Sequence, residues 1–579
     1  MARLVQNLEL KLAYPAEEAR AEEGGATVQH GEVFTRRWVV ELVLDLAGYT
    51  ADRDLGALVA VEPSCGAGAF LGPMVERLLA SCAAHGRSVG DAAGAIRACD
   101  LLPGNVDFSR KTIGAELQEA GLDPDVATDL AHRWISQADF LLSDHDLGTA
   151  DIVVGNPPYL RPEHVPTDRT RAYRDACPTM RGRSDVYVGF IELGLRLLRP
   201  GGVLGFIVAD RWMRNQYGGP LRSMIADGYS AEAVVQMHDV DAFEEPVSAY
   251  PAVTIVRREP QGPAVIATTT AAFGASQAAD LVVWAQAKTE SRLEAEGVQA
   301  AVLPTWFGRD GSWPTGTPEE LSLVADLERR FPSLEDGATG TRVGIGVATG
   351  ADSVYLTTDT TLVEPERLLR LVMARDTAGG EVRWSGVHLV NPWHEGTLVS
   401  LDDFPQLRAY LVGNGEVVRA RHVARRNPHR WYRTIDRVEP GLLERPKLLL
   451  PDLKAAIHPV LDDGRYHPHH NLYFVTSDGW DLEVLGGLLL SEVANLFVGA
   501  YCVKMRGGCR RFQAQYLRRI RVPDESSLRA VDRRALAQAF AARDVEAATA
   551  VALRLYGLRD LPGGAASART TARVAVDGR

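Results

Sequence analysis

Asn156-Pro157-Pro158-Tyr159 follows the apolar run Ile152-Val153-Val154 with one glycine between them. An amide, two prolines and an aromatic ring at the end of a strand make a rigid cup for a flat ring that carries an exocyclic amine. The Asn156 side-chain carbonyl and the Pro157 backbone carbonyl can accept both N–H bonds of one NH2, while the Tyr159 ring lies against the ring face. Proline fixes φ and donates no N–H, which leaves the neighbouring carbonyls free to face a ligand. Structural turns rarely need all four residue types together, so this run is specific.

Upstream, Val61-Glu62-Pro63-Ser64-Cys65-Gly66-Ala67-Gly68-Ala69-Phe70 supplies a glycine-rich turn whose backbone can approach a ligand closely. Taken alone it also fits plain tight packing. Asp100 ends the next strand, where a carboxylate can hold ribose hydroxyls. Asp139 can accept from an adenine amine, and Phe140 offers its ring an apolar contact. Alone, the first also reads as a loop carboxylate and the second pair as a strand-start acid beside a core ring. No third glycine opens a helix at dinucleotide spacing, and no Lys-Ser/Thr phosphate loop is present. Adenosine without a pyrophosphate, hence S-adenosyl-L-methionine, fits this pattern better than NAD or ATP.

The elements that must position these residues alternate in type. Trp38 to Leu46 is apolar at helical spacing, with Thr35 placed as its N-cap. Ala57 to Val61, Ala95 to Asp100, Asp151 to Val154 and Val203 to Val208 read as buried strands, and Phe140 to Leu142 as an edge element. Phe70 to Ala80 and Tyr187 to Leu198 read as helices, the latter stopped by Arg199-Pro200-Gly201-Gly202, and Val253 to Val256 closes the sheet. This alternation predicts an α/β, Rossmann-like doubly wound sheet with helices on both faces. Residues 1–29 form an N-terminal extension, 30–258 a catalytic domain, and 259–340 a connector with a helix over Pro318 to Arg330. Residues 341–523 form a second, α+β domain, and 524–579 a helical cap with a disordered tail.

The chain has 579 residues, 46% of them hydrophobic and 24% charged, enough for two to four packed domains. Its net charge of −12 hides a segregation: residues 415–523 hold 18 Lys and Arg against 11 Asp and Glu. Positive charge concentrated on one part of an acidic chain is what a phosphate-contacting surface needs, although a solvated basic face has the same composition. The six cysteines form no CxxC pair, the pattern of reduced thiols in a cytoplasmic protein. No basic-apolar-small leader opens the chain. The longest apolar stretch, Leu485 to Val503, is interrupted by Glu492 and Asn495 and reads as a buried helix rather than a membrane span.

The order Phe34-Thr35, Glu62-Pro63-Ser64-Cys65-Gly66-Ala67-Gly68, Asp100, Asp139-Phe140, Asn156-Pro157-Pro158-Tyr159, then a basic C-terminal half, resembles the gamma (TaqI-type) class of DNA adenine-N6 methyltransferases of restriction–modification systems. The resemblance implies cofactor contacts at Thr35, Glu62, Pro63, Ser64, Cys65, Gly66, Gly68, Asp100, Asp139 and Phe140. It implies catalysis by Asn156, Pro157, Pro158 and Tyr159 on an adenine turned out of the duplex, with Phe243 stacking on the base opposite Tyr159. Family members often carry proline after that phenylalanine, where this chain has Glu244, and proline after the threonine, where it has Arg36. The C-terminal half would be a target-recognition domain in which Lys447, Lys504, Arg506, Arg510 and Arg511 contact double-stranded DNA. Such a chain can work as a monomer, and a separately encoded restriction endonuclease or defence-complex subunits are the partners the family would supply. Other readings are a protein-glutamine or RNA-base methyltransferase, or a non-catalytic DNA-binding subunit; the basic C-terminal half counts against the first pair and the intact cup against the last.

Two further motifs carry less. Pro451-Asp452-Leu453-Lys454 mimics the end of a nuclease motif but lacks a partner acid on an upstream strand. His467, His469 and His470 have no Cys, Asp or Glu at ligand spacing, so they read as DNA-contacting or exposed loop histidines, and no metal is expected.

Overall fold

The computed structural model describes residues 33–245, 250–287, 289–304, 306–307, 311–504 and 510–562. It divides into two units, Met1–Trp313 and Pro314–Arg579. The N-terminal extension, the tail from residue 563 and Cys509 lie outside the described residues.

The first unit is built on a 10-stranded mixed sheet. Its strands are β1 (Ala60–Glu62), β2 (Ile96–Asp100), β3 (Ile135–Gln137), β4 (Ala150–Gly155), β5 (Leu198–Ala209), β6 (Ser230–Gln236), β7 (Pro251–Arg257), β8 (Ala264–Thr269), β9 (Arg292–Ala295) and β10 (Val298–Leu303), in spatial order 3-2-1-4-5-7-6-8-10-9. Strands β3, β2, β1, β4 and β5 are parallel, and β7 runs antiparallel between β5 and β6. Every residue of β4 is buried, as expected of a strand covered on both faces. The helices are α1 (Arg37–Leu46), α2 (Leu71–His85), α3 (Pro103–Glu119), α4 (Pro124–Trp134), α5 (Thr167–Ala176) and α6 (Tyr187–Leu197).

Two glycines set the layer spacing. Leu204 and Gly205 are consecutive in β5, so their side-chain positions face opposite sides of the sheet. A Cβ on Gly194 of α6 would lie 2.7 Å from Leu204 Cδ1, and one on Gly205 would lie 3.2 Å from Ala47 just past α1. Helices therefore cover both faces. In α1, Val39, Val40, Leu42 and Val43 are at most 1% exposed, each burial contributing about 1.5–3 kcal/mol.

The strand order reverses between β1 and β4, and in open α/β sheets ligands bind beyond the carboxyl ends of the strands at such a reversal. The glycine turn leaves β1 and the Asn-Pro-Pro-Tyr run leaves β4. Asp151 ties the two strands, its Oδ2 accepting from the Val59 N–H at 2.9 Å.

Several expectations need correction. Val253 to Val256 does not close the sheet, because β7 sits between β5 and β6. Residues 259–340 are not a connector: β8, β9 and β10 extend the same sheet, and the division between units falls after Trp313. The helix Pro318–Arg330 belongs to the second unit, where Val324 and Leu327 share a core with Leu488 and Phe497. Thr317 opens it with a reciprocal capping box to Glu320.

The second unit mixes helices with small sheets. One has strand order Arg342–Ile345, Leu472–Thr476, Lys447–Pro451, Val460–Asp462; another has Leu356–Thr357, His388–Val390, Leu368–Val372, His467–Pro468. The apolar run from Leu485 is two helices, Leu482–Leu490 and Glu492–Tyr501, bent by 64°. Among the described residues no single helix is long and apolar enough to cross a membrane. Ala530–Ala542 packs on the first of these at glycines, a Cβ on Gly487 falling 2.4 Å from the Leu536 carbonyl oxygen.

Lys447 lies in the centre of this unit, not on a DNA-facing surface. It is 0% exposed, and its Nζ donates to the Leu442 and Arg445 carbonyls at 2.9 and 2.8 Å and pairs with Asp462 at 2.8 Å. Burial pushes the ammonium pKa down and Asp462 pulls it back up. Removing one member of a buried pair strands the other charge. Lys447→Met is expected to lower unfolding free energy by about 3–5 kcal/mol, with Lys447→Met/Asp462→Leu recovering most of it. Urea unfolding followed by tryptophan fluorescence measures both, and equal losses in the single and double variants would remove the pair as the cause.

Candidate active site

The glycine turn is shaped by backbone that favours glycine: Gly66 has φ 50° and Gly68 φ 92°. Asp100 holds it, Oδ2 accepting from the Gly66 N–H at 2.9 Å and Oδ1 from the Leu102 N–H at 2.9 Å and Asn105 Nδ2 at 3.1 Å. An ionised carboxylate has about four acceptor sites, so Asp100 keeps capacity for a ligand hydroxyl. Glu62 is 1% exposed with Oε2 buried and unpartnered, and burial, then the Asp100 charge, raises its pKa well above the carboxylate range.

Glu62, Gly66 and Asp100 line one cavity of about 450 Å³, together with Thr35, Pro63, Ser64, Cys65, Asp139, Phe140, Asn156 and Pro158. The volume lies within the range of small-molecule sites. Gly68, Pro157, Tyr159 and Phe243 are not part of its lining. Asp139 is engaged by a residue the sequence did not flag: Tyr173 of α5 donates to its Oδ2 at 2.9 Å. Phe140 stacks on Phe190 of α6 at 5.2 Å. Neither partner belongs to a recognisable motif, so only the three-dimensional fold brings them in.

The cup is oriented from the N-terminal side. Asn156 Nδ2 donates to the Val33 carbonyl at 2.9 Å and to Thr35 Oγ1 at 3.0 Å. A main-chain carbonyl can only accept, so the amide nitrogen must face it and the flip is determined. Asn156 Oδ1 is left buried without a partner. Ser64 takes the Asn156 backbone carbonyl at 3.3 Å, and the Leu160 N–H takes that of Pro158 at 3.1 Å.

Thr35 is not the helix cap. The N-cap position of α1 is Arg36, with no side-chain cap bond, and Thr35 instead pairs with Phe243 in an antiparallel bridge. Glu244 N–H donates to the Phe34 carbonyl at 2.9 Å and Arg36 N–H to that of Ala242 at 3.1 Å. One short pairing thus brings Thr35, Asn156 and Phe243 together. The Tyr159 and Phe243 rings meet edge to face, centroids 6.0 Å apart at 80°.

The basic residues expected to touch DNA are placed unevenly. Lys447 is buried, as described above. Arg511 pairs with Asp452 at 3.3 Å, and half-buried Arg510 points its Nη1 at the Asn495 carbonyl, 3.5 Å away. Lys504 lies in a two-residue strand, but its side chain, like all of Arg506, is outside the described residues. The structure instead draws attention to residues 419–437, which hold seven arginines and two histidines against one aspartate. Arg421 anchors this segment through the Thr349, Trp431 and Arg433 carbonyls at 2.6, 3.0 and 2.8 Å. Arg425, Arg426, His429 and Arg430 are exposed, and among the described residues none has a carboxylate partner. Their spacing in the sequence was the available signal.

Comparison with known proteins decides the family. Residues 115–243 match the model of the Eco57I restriction-modification methylase family. The chain is 45% identical to the type II methyltransferase M.PaeR7I of Pseudomonas aeruginosa over 548 residues, 94% of each chain. The chain belongs to the type II restriction–modification methyltransferases. It is 43% identical to M.XhoI of Xanthomonas vasicola over 541 residues, 92% of this chain and 98% of that one. The solved structure of the type IIL restriction-modification enzyme MmeI with DNA matches at a TM-score of 0.54 and 11% identity, covering 92% of this chain and 75% of that one, a likeness of fold. The family's reaction is S-adenosyl-L-methionine-dependent methylation of adenine in DNA.

The Thr35 hydroxyl accepts one of the Asn156 amide hydrogens, so removing it tests whether this contact matters to methyl transfer. Thr35→Val is expected to lower kcat about 10–100-fold by letting the amide drift, whereas Thr35→Ser keeps near-normal turnover. Steady-state methyl transfer with equilibrium dialysis of the cofactor separates this from a loss of cofactor binding. A valine variant with unchanged kcat would remove the clamp from catalysis.

Proposed function

We propose that this enzyme methylates N6 of an adenine turned out of duplex DNA, with Asn156 and Pro157 holding the amine and Tyr159 and Phe243 holding the ring. The observation that carries this reading is the Asn156 amide: its nitrogen is saturated by Val33 and Thr35 while its buried oxygen has no donor. A buried acceptor without a donor is costly, and an incoming NH2 satisfies it.

The adenine amine is a weak nucleophile because its lone pair is delocalised into the ring. Asn156 Oδ1 and the Pro157 carbonyl accept its two N–H bonds and draw the nitrogen toward tetrahedral geometry, which localises the lone pair. S-adenosyl-L-methionine, when bound, supplies an electrophilic methyl group. Asp100 and Asp139 offer acceptors to it, Glu62 a buried polar oxygen without a partner, and Phe140 an apolar wall. Positioning and preorganised carbonyl dipoles supply the catalysis. Extruding a base costs a few kcal/mol, and stacking on aromatic side chains contributes about 1–3 kcal/mol per base. A ring stacked on both faces needs its neighbours about 7 Å apart, twice a van der Waals contact, so the edge-to-face contact of Tyr159 with Phe243 must yield to the base.

The second unit is read as the target-recognition half, with Arg425, Arg426 and Arg430 as backbone contacts. In a chain of net charge −12, exposed arginines without carboxylates are not needed for solubility, and a polyanion is the ligand that offsets their mutual repulsion.

Two experiments test this. Modification-detecting sequencing of a methylation-free host expressing the chain should show N6-methyladenine at one recurring sequence, lost with Asn156→Ala; persistence in the variant would sink the catalytic assignment. For the arginines, each phosphate contact contributes about 0.9 to the slope of log affinity against log salt. Arg425→Gln/Arg426→Gln/Arg430→Gln should therefore flatten that slope by about 2–3 in fluorescence anisotropy. An unchanged slope would take this segment off the DNA.

A further inference from the structure

Of the three histidines expected to contact DNA or sit in an exposed loop, His470 is exposed but the other two are not. His467 and His469 are each 2% exposed, and burial pulls the His467 pKa down to about 4. The turn carrying them is fixed on both sides. His469 N–H donates to the Val372 carbonyl at 3.0 Å and His470 N–H to the Val347 carbonyl at 3.1 Å. Gly346 approaches so closely that a Cβ there would lie 2.3 Å from the His469 carbonyl oxygen. This approach delivers the carboxylate that the local sequence lacks: Asp352 Oδ2 lies 3.2 Å from His469 Nε2, from a residue 117 positions earlier. Thr349 donates to the other Asp352 oxygen and orients it. The His470 ring stands against His469, centroids 4.0 Å apart at 57°. One ligand atom from each of Asp352, His469 and His470 lies within 4.8 Å of the others.

We propose that Asp352, His469 and His470 form a binding site for a divalent transition-metal ion of the zinc type, separate from the methyl-transfer cavity. An Asp–His hydrogen bond alone would account for His469 but not for the second imidazole set against it. Two imidazoles and one carboxylate select zinc, cobalt or nickel over magnesium and calcium, whose ligand sets are oxygen-only. Three protein ligands leave a coordination position for water. The ion would add a further link between the segment carrying Asp352 and the histidine turn, which already meet through the Val347–His469 bridge.

The test uses the full chain, stripped with chelator and dialysed. Titration with ZnCl2 by calorimetry should show saturable stoichiometric binding, and CoCl2 should develop visible d–d absorption that ZnCl2 displaces. His470→Ala and Asp352→Asn alter partly exposed side chains, so both variants should fold, as circular dichroism checks. Each should weaken zinc binding by about tenfold or more and abolish the cobalt bands. Binding by the parent chain no tighter than by the combined His470→Ala/Asp352→Asn variant, or a featureless cobalt spectrum, would overturn the site.

Discussion

The geometry of the Asn-Pro-Pro-Tyr cup depends on what the Asn156 amide nitrogen is given to bind. The side chain has two donors and one acceptor group that matter, and the fold uses up both donors at Val33 and Thr35. Only then does the oxygen have a fixed direction. Those partners lie on a segment with no strand of its own, held by pairing with residues 242–244. That same pairing sets the backbone of Phe243. The cup, its orienting clamp and its facing ring are thus one hydrogen-bonded assembly drawn from three distant parts of the chain.

What could be read from the sequence follows from this. The glycine turn and the Asn-Pro-Pro-Tyr run are contiguous, and each residue type answers a local chemical need, so both were legible with their places at strand ends. Four of the five parallel strands, β1, β2, β4 and β5, were legible from their apolar residues, but β3, Ile-Ser-Gln with two exposed positions, was not, and Phe140 to Leu142, expected as an edge element, is a turn. Thr35 was misread because a threonine before an apolar helix satisfies every local criterion for a cap, and its real partner is 121 residues away. Strand β6, Ser-Ala-Glu-Ala-Val-Val-Gln, was missed because it mixes small and polar residues, and without it β7 seemed to end the sheet. Lys447 reads as a surface cation from the sequence alone because its partner, Asp462, is revealed only by the strand pairing. Asp352 and the histidines were kept apart for the same reason.

The second unit shows how one arginine can free others. Arg421 spends its guanidinium on backbone carbonyls and on the Tyr355 hydroxyl, and Arg419 lies 3.9 Å from the centroid of the Trp431 ring. These internal uses give a segment with little regular structure a defined shape. Arg425, Arg426 and Arg430 are then held outward without needing acidic partners to keep them ordered. Elsewhere many arginines are tied to carboxylates, as Arg37 is to Glu41 and Glu76.

The insertion of β7 between β5 and β6 has a consequence for synthesis. On the ribosome β6 emerges before the strand that joins it to the sheet, so until residues 251–257 appear, β5 presents an open edge of unpaired main-chain groups. An exposed apolar edge is a template for wrong partners. The nascent chain crosses this vulnerable interval with its cofactor-side strands already able to assemble. It leaves the interval only when β6 and β7 can dock together, shortly after Phe243 has become available to meet Thr35.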